Sequence, residues 1–442
     1  MHKIRIVKNP AVAVVEMTFT PLRMKMNSQM ALLLILCCQL SNGTAQAQSG
    51  PWESISPSKR LNYHRAPAWT NRLMTEQHRY AIPSPLISDD GTVVSTPADW
   101  YRKRRPELLR HWTRVLGKLS PSREDEKWFG DIGKVVVHDT EEKEGYTRIH
   151  LSLPIEKDFL QPHLLLLPKN QGSGPFPAVI AWTSTSPDYA EPEKWWGAWL
   201  AQRGYVVLTG WSFIRHYREG KSYRDPVNEM VYQRFGHWLP MAKMVHDVQR
   251  EVEYLKTRDE VDAKRLGFIG FSLSAKTALY VAAFAPEITA TVAVDPHLAL
   301  HGDTNYQDPW YLDWRRRFDS IETDDYPIPE LRGTVWSLLD ADPSRPGFER
   351  NHHELLVLCA PRAFLLIGCS MDKMQSTHSD NLQSWGYFNR AKEVYDLLGI
   401  PDRLKFKTTT DGHRATSPHT DSDWQQFFDQ WLKKTPLLRV GQ

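Results

Sequence analysis

Residues 266–276 read Leu266-Gly267-Phe268-Ile269-Gly270-Phe271-Ser272-Leu273-Ser274-Ala275-Lys276. An apolar, strand-forming run ends at Gly270, and the helix-forming run Ala275–Phe284 begins five residues after it. A lone serine at such a joint fits G-x-S-x-G with Ser274 in place of the second glycine. That pattern is a nucleophile elbow, a turn sharp enough to hold a serine hydroxyl out of a strained backbone. The flanking positions must be small because they meet the neighbouring strand and helix, and Ser274 satisfies that. Ser272 is therefore the candidate nucleophile.

A serine hydroxyl needs a general base at neutral pH. In the chain order such elbows use, an acid and then a histidine follow. Asp411-Gly412-His413 lies in a loop just after the apolar-alternating run Leu404–Thr408. A final helix follows, with the stripe Trp424, Phe427, Phe428, Trp431 and Leu432. Packing that stripe on a sheet puts His413 at the strand's carboxyl end, beside the elbow. Two residues can orient its imidazole. Asp372, after the strand around Phe364, is the first choice, and Asp295, in Val294-Asp295-Pro296, is the alternative. The developing oxyanion needs two N–H donors. Leu273 is expected to give one, and Thr183 or Ser184, after the run Ala178–Trp182, the other.

Strand and helix patterns alternate from about Gly133 onward. Short apolar runs buried on both faces and separated by helices predict a mostly parallel sheet, with antiparallel strands at its start. The helix over about 240–255 places Met244, Val248, Val252 and Leu255 on one face. Residues 48–130 read as an irregular arm and a helix, and 131–435 as the catalytic domain. About 60 residues between two strands, roughly 296–352, form an insertion rich in aromatics, Trp310 among them. An insertion of that length is expected to act as a lid.

The first 47 residues hold an apolar run, Met30–Leu36, preceded by Arg23 and Lys25 and followed by Ala45-Gln46-Ala47. They are expected to be a signal peptide cleaved near Ala47, so that the mature protein is secreted or periplasmic. This segment carries five of the 55 basic and one of the 52 acidic residues, leaving 50 against 51. Near-neutral charge argues against a nucleic-acid partner, and no membrane association is expected after cleavage. The basic run Tyr101–Arg105 is expected on a solvated helix face. Cys359 and Cys369 flank a strand that would hold them about 30 Å apart, far beyond disulfide reach. Two free, buried thiols are expected. No His/Cys/Asp cluster has ligand spacing, so neither a metal nor an organic cofactor is expected.

With these residues in view, the chain resembles the alpha/beta-hydrolase superfamily from about Trp100 to Leu432. It is most similar to the secreted bacterial branch related to acetyl xylan esterases, dienelactone hydrolases and prolyl-oligopeptidase-type catalytic domains. The likeness is carried by Gly204–Leu208, Glu260–Gly267, Ala282-Ala283-Phe284, Ala360-Pro361-Arg362 and Tyr395–Gly399. It implies a Ser272–His413–Asp372 triad and hydrolysis of a carboxylic ester on a small molecule or a polysaccharide such as acetylated xylan. Glucuronoyl esterases offer a second likeness. There a lysine after the elbow contacts the sugar and the acid follows the next strand, positions held here by Lys276 and Asp295. The arginine that family carries directly after the serine stands here as Leu273. Trp182, Trp310 and Lys276 are the candidate substrate contacts. Alternative readings are a glucuronoyl esterase-like enzyme, a prolyl-oligopeptidase-type peptidase, and a non-catalytic carbohydrate-binding relative.

Overall fold

A computed structural model describes residues 82–434, less the stretches 213–237, 299–351 and 370–381 and short breaks at 118, 122–125, 130–132, 158, 187, 239, 297 and 410. The expected signal peptide, most of the arm and nearly all of the expected insertion, with Trp310, lie outside the described residues.

Nine strands form one sheet in the order β1-β2-β3-β5-β4-β6-β7-β8-β9. They are β1 Val136–Lys143, β2 Tyr146–Glu156, β3 Phe159–Pro168, β4 Phe176–Trp182, β5 Val206–Gly210, β6 Val261–Phe271, β7 Ile288–Val294, β8 Ala363–Cys369 and β9 Leu404–Thr409. The first three pair antiparallel, and the six from β5 to β9 are mutually parallel. β4 and β5 are buried almost throughout, as their unbroken apolar runs require in a sheet covered on both faces. Alternate residues feed two cores. Ala178, Ile180, Trp182 and Phe268 face a layer built from α1 (Arg105–Leu116), α2 (Pro240–Lys256), α3 (Leu273–Phe284) and α4 (His353–Cys359). Val179, Ala181, Ile269 and Val292 face Trp196, Leu200, Phe428 and Leu432 on the other side. The last two belong to the C-terminal stripe, on α5 (Asp421–Phe428) and the helical turn that continues it.

The predicted parallel sheet with an antiparallel start is thus the observed one. The basic run differs from expectation. Arg104 is buried and paired with Asp89 at 2.8 Å and Glu107 at 3.1 Å, while Lys103 meets Asp90 at 2.7 Å. The run ties the arm residues Asp89 and Asp90 to the helix that follows them. Cys359 is free and buried.

α2 was expected to bury one apolar stripe. Its Lys243, Asp247 and Glu251 are also fully buried, because this helix lies between the sheet and further layers. The Trp182 indole donates to both carboxylate oxygens of Glu251, at 2.9 and 2.8 Å. His163 Nδ1 donates to the Thr209 carbonyl at 2.6 Å and lies 3.6 Å from Glu251. Burial pushes the Glu251 carboxyl well above its ordinary range and holds the His163 imidazole down at about 4. Below pH about 6.5 an unfolded His163 gains a proton that the folded one refuses, which costs stability as pH falls. Above pH about 4.5 an unfolded Glu251 loses a proton that the folded one keeps, which costs stability as pH rises, by up to about 1.4 kcal/mol per unit. Above about 6.5 the glutamate effect remains, joined up to about pH 7 by that of buried Asp247, whose carboxyl burial raises to about 7. Thermal unfolding between pH 6.5 and 9 should show a falling midpoint, and Glu251→Gln, which stays neutral and still accepts from Trp182, should flatten that slope.

Candidate active site

The sheet order reverses between β5-β4 and β6, so the carboxyl ends of β4 and β6 lie side by side at a topological switch point, where ligands bind in open α/β sheets. Trp182 pairs with Gly270, which sets Thr183-Ser184 next to Ser272-Leu273. Phe271 pairs with Val294 on β7, setting Asp295 on the other side. β9 adds the loop that carries His413 from two strands away.

At the elbow, Ser272 has φ 56° and ψ −110°, outside the regions that ordinary side chains prefer. The turn is enforced by contact. A Cβ at Gly270 would stand 2.4 Å from the Ser274 carbonyl oxygen and 2.9 Å from the Ser274 Cβ, so only glycine fits there. Ser272 N–H donates to the Val294 carbonyl at 2.9 Å, tying the turn to β7. Asp295 also has positive φ, 57°, and its N–H donates to the Ile367 carbonyl at 2.7 Å. Such conformations cost about 1–3 kcal/mol each, and two of them converge on one place.

The side chains complete a relay. Ser272 Oγ lies 3.0 Å from His413 Nε2, and His413 Nδ1 is hydrogen-bonded to Asp295 Oδ2. A carboxylate only accepts, so the imidazole proton sits on Nδ1 and Nε2 is left to accept from the serine. Asp295 is buried, whereas His413 and Ser272 are partly open to solvent. The Phe271 ring backs the imidazole, with centroids 4.6 Å apart, and is itself edged by Trp195 at 5.9 Å. The His413 loop is braced by Asp411, which accepts from Ser417 Oγ and, at 2.9 Å, from His419 Nδ1. These contacts, Ser417 first, hold the Asp411 carboxyl down at about 2.

Of the two acids read from sequence, Asp295 occupies the Nδ1 side of His413, and Asp372 lies outside the described residues. Thr183 was expected as an oxyanion donor, but all its polar groups are engaged. Its N–H donates to the Gly210 carbonyl at 3.0 Å and its hydroxyl to Glu191 at 3.0 Å, while its carbonyl accepts from Ser274 Oγ. Trp182, expected as a substrate contact, is fully buried on the α2 side, because a strand residue one step from Thr183 faces into the layer. Glycine at 210 leaves room for its indole, since a Cβ there would lie 2.5 Å from Nε1. Lys276 is likewise buried, and its charge is felt at His352, whose pKa burial lowers first and Lys276 further. Phe271 and Ser274 were missed as positioning residues, although both stand inside the quoted motif. Away from this site, Asp139, Glu141 and His150 converge on the β1–β2 edge. Glu141 there already pairs with Lys143, Arg148 and His150.

The model of the Dienelactone hydrolase family matches residues 164–311, and that of the BAAT / Acyl-CoA thioester hydrolase C-terminal family matches 248–381. Both spans contain the elbow and Asp295. A carbohydrate esterase from an unknown prokaryotic organism is 22% identical, with 79% of this chain and 89% of that protein covered. The 4-O-methyl-glucuronoyl methylesterase 1 of Wolfiporia cocos is 26% identical, with 79% and 80% covered. Among solved structures, a glucuronoyl esterase from Solibacter usitatus superposes with a TM-score of 0.55 at 18% identity, covering 79% of this chain and 96% of that one. A promiscuous family-15 carbohydrate esterase from a marine bacterial metagenome gives 0.56 at 16% identity, covering 80% and 97%. The chain has the alpha/beta-hydrolase fold. The two curated relatives it matches are named as a carbohydrate esterase and a glucuronoyl methylesterase, both carboxylic-ester hydrolases.

Ser274 donates its hydroxyl to the carbonyl of Thr183 from a fully buried position. Ser274→Ala would leave that carbonyl unpaired, at a cost of about 1–3 kcal/mol. Urea denaturation should show a lowered midpoint with an unchanged slope.

Proposed function

We propose that this chain hydrolyses carbohydrate esters by acyl transfer through Ser272, His413 and Asp295. The observation that carries the reading is the unbroken hydrogen-bond relay from the strained elbow serine through the imidazole to a buried carboxylate. Ser272 Oγ attacks the ester carbonyl while His413 Nε2 takes its proton. Asp295 orients the ring and stabilises the imidazolium. The tetrahedral oxyanion is met by the N–H of Leu273. Its collapse expels the alkoxide, which takes the proton from His413, and water then releases the acyl group by the same steps in reverse order.

The substrate we propose is an ester of a glucuronic acid residue. Support comes from the curated relatives and the solved neighbours, several of which are named for that activity. It also comes from Asp295 standing after the strand that follows the elbow. An acetyl xylan ester is the second substrate, favoured by Leu273, which lacks the cation of glucuronoyl esterases at that position. We also propose that residues 1–47 direct secretion, which suits an enzyme acting on a polysaccharide, and that 131–435 form the catalytic domain.

Two outcomes are expected. Asp295→Asn should lower kcat about 10⁴-fold, whereas Asp372→Asn should keep it within about tenfold, and steady-state hydrolysis of p-nitrophenyl acetate reads both. Equal losses in the two variants, or a larger loss at Asp372, would remove Asp295 from the relay. In a panel of esters, methyl 4-O-methyl-glucuronate should be turned over with kcat/KM at least about tenfold above acetylated xylo-oligosaccharides. The reverse ranking would move the assignment to the acetyl esters.

A further inference from the structure

The carbonyl oxygen of a bound ester becomes an anion once Ser272 adds to it, and one N–H is a thin cradle for that charge. Leu273 supplies its main-chain N–H, which as the first of α3 has no partner within the helix, and an apolar side chain. Thr183 has nothing left to give, since its N–H, carbonyl and hydroxyl are all bound elsewhere. What faces the Leu273 N–H is the Ser184 hydroxyl, with Oγ 3.4 Å from the nitrogen. Ser184 is buried, on the β4 loop that Ser274 holds against the first turn of α3. The contact is longer than the usual 2.9–3.0 Å for such a bond, so it is weak and readily exchanged.

We propose that the Ser184 hydroxyl is the second oxyanion donor, a reading that rests on Ser272 being the nucleophile. In the resting enzyme Ser184 Oγ accepts from Leu273 N–H and stands in for the absent oxyanion. When the tetrahedral intermediate forms, its oxygen takes over the Leu273 N–H. Ser184 then turns its own O–H onto the same oxygen, so the anion gains two donors and no proton changes hands. A side-chain hydroxyl in this role explains why the Thr183 N–H can be spent on the sheet without emptying the site.

The test compares Ser184→Ala, Ser184→Cys and Ser184→Thr with the wild-type enzyme on p-nitrophenyl acetate. Ser184→Ala and Ser184→Cys should lower kcat about 10²-fold or more, with KM within about threefold and the thermal midpoint close to wild type. Ser184→Thr keeps a hydroxyl and should recover most of the rate. A merely structural serine would shift the thermal midpoint or KM and would not be rescued by threonine. Retention of kcat within about threefold in the alanine or the cysteine variant would overturn the proposal, the near-isosteric cysteine deciding if alanine perturbs folding. Ser272→Ala, run alongside, separates the two layers. If it is dead while the Ser184 variants are fully active, only the donor role fails. If it retains activity, the nucleophile assignment fails with it.

Discussion

β6 and α3 approach backbone to backbone at Gly270 and Ser274, where not even a methyl group can be inserted. That approach leaves Ser272 no relaxed conformation, and the φ of 56° is the geometric result. Strain of this kind persists only when surrounding contacts over-determine it. Here the Ser272 N–H is tied to β7 while Ser274 is tied to the β4 loop. Ser272 is thus held by three adjacent strands. Its hydroxyl needs little freedom to meet an imidazole arriving from β9, because the supports on both sides are sheet.

Much of this could be read from the chain. Alternating strand and helix patterns from about Gly133 marked the sheet, and the strand-to-helix joint at 266–276 marked the elbow. His413 was identified by its place after Leu404–Thr408 and by the Trp424, Phe427 and Phe428 stripe that folds the last helix back onto the sheet. The acid was harder. β7 and β8 are neighbours in the sheet and an aspartate follows each in the sequence, directly after β7 and three residues after β8, so chain order offered two carboxylates and put the later one, Asp372, first. Asp295 reaches the ring from a backbone with positive φ, and an angle imposed by tertiary contacts leaves no mark on residue identity. Trp182 failed for a different reason. A residue at a strand end reads alike whether it turns toward the site or into the layer, and the deciding groups, Gly210 and Glu251, are 28 and 69 residues away in sequence.

The buried polar layer under β4 belongs to the same construction. Glu251 receives the Trp182 indole through both its oxygens, and the residue after Trp182 begins the loop that reaches α3. A carboxyl placed there is held toward its neutral form by burial. In that form it can accept from the indole without the full desolvation cost of a charge. The fixed indole sets the end of β4, and with it the position from which the loop departs.

This connection bears on how the site accommodates Leu273. A cation next to the nucleophile would stabilise an oxyanion at long range and would tolerate imprecise placement. A neutral donor has no such reach, since its interaction weakens steeply with distance and angle. An enzyme relying on N–H and O–H groups at this position needs the β4 loop fixed to within a few tenths of an ångström. The contacts present are of that kind: three bonds on Thr183, one of them the hydroxyl tether from α3, and an indole clamped at the strand's last residue. Rigidity of the loop here does the work that charge would do with an arginine after the serine.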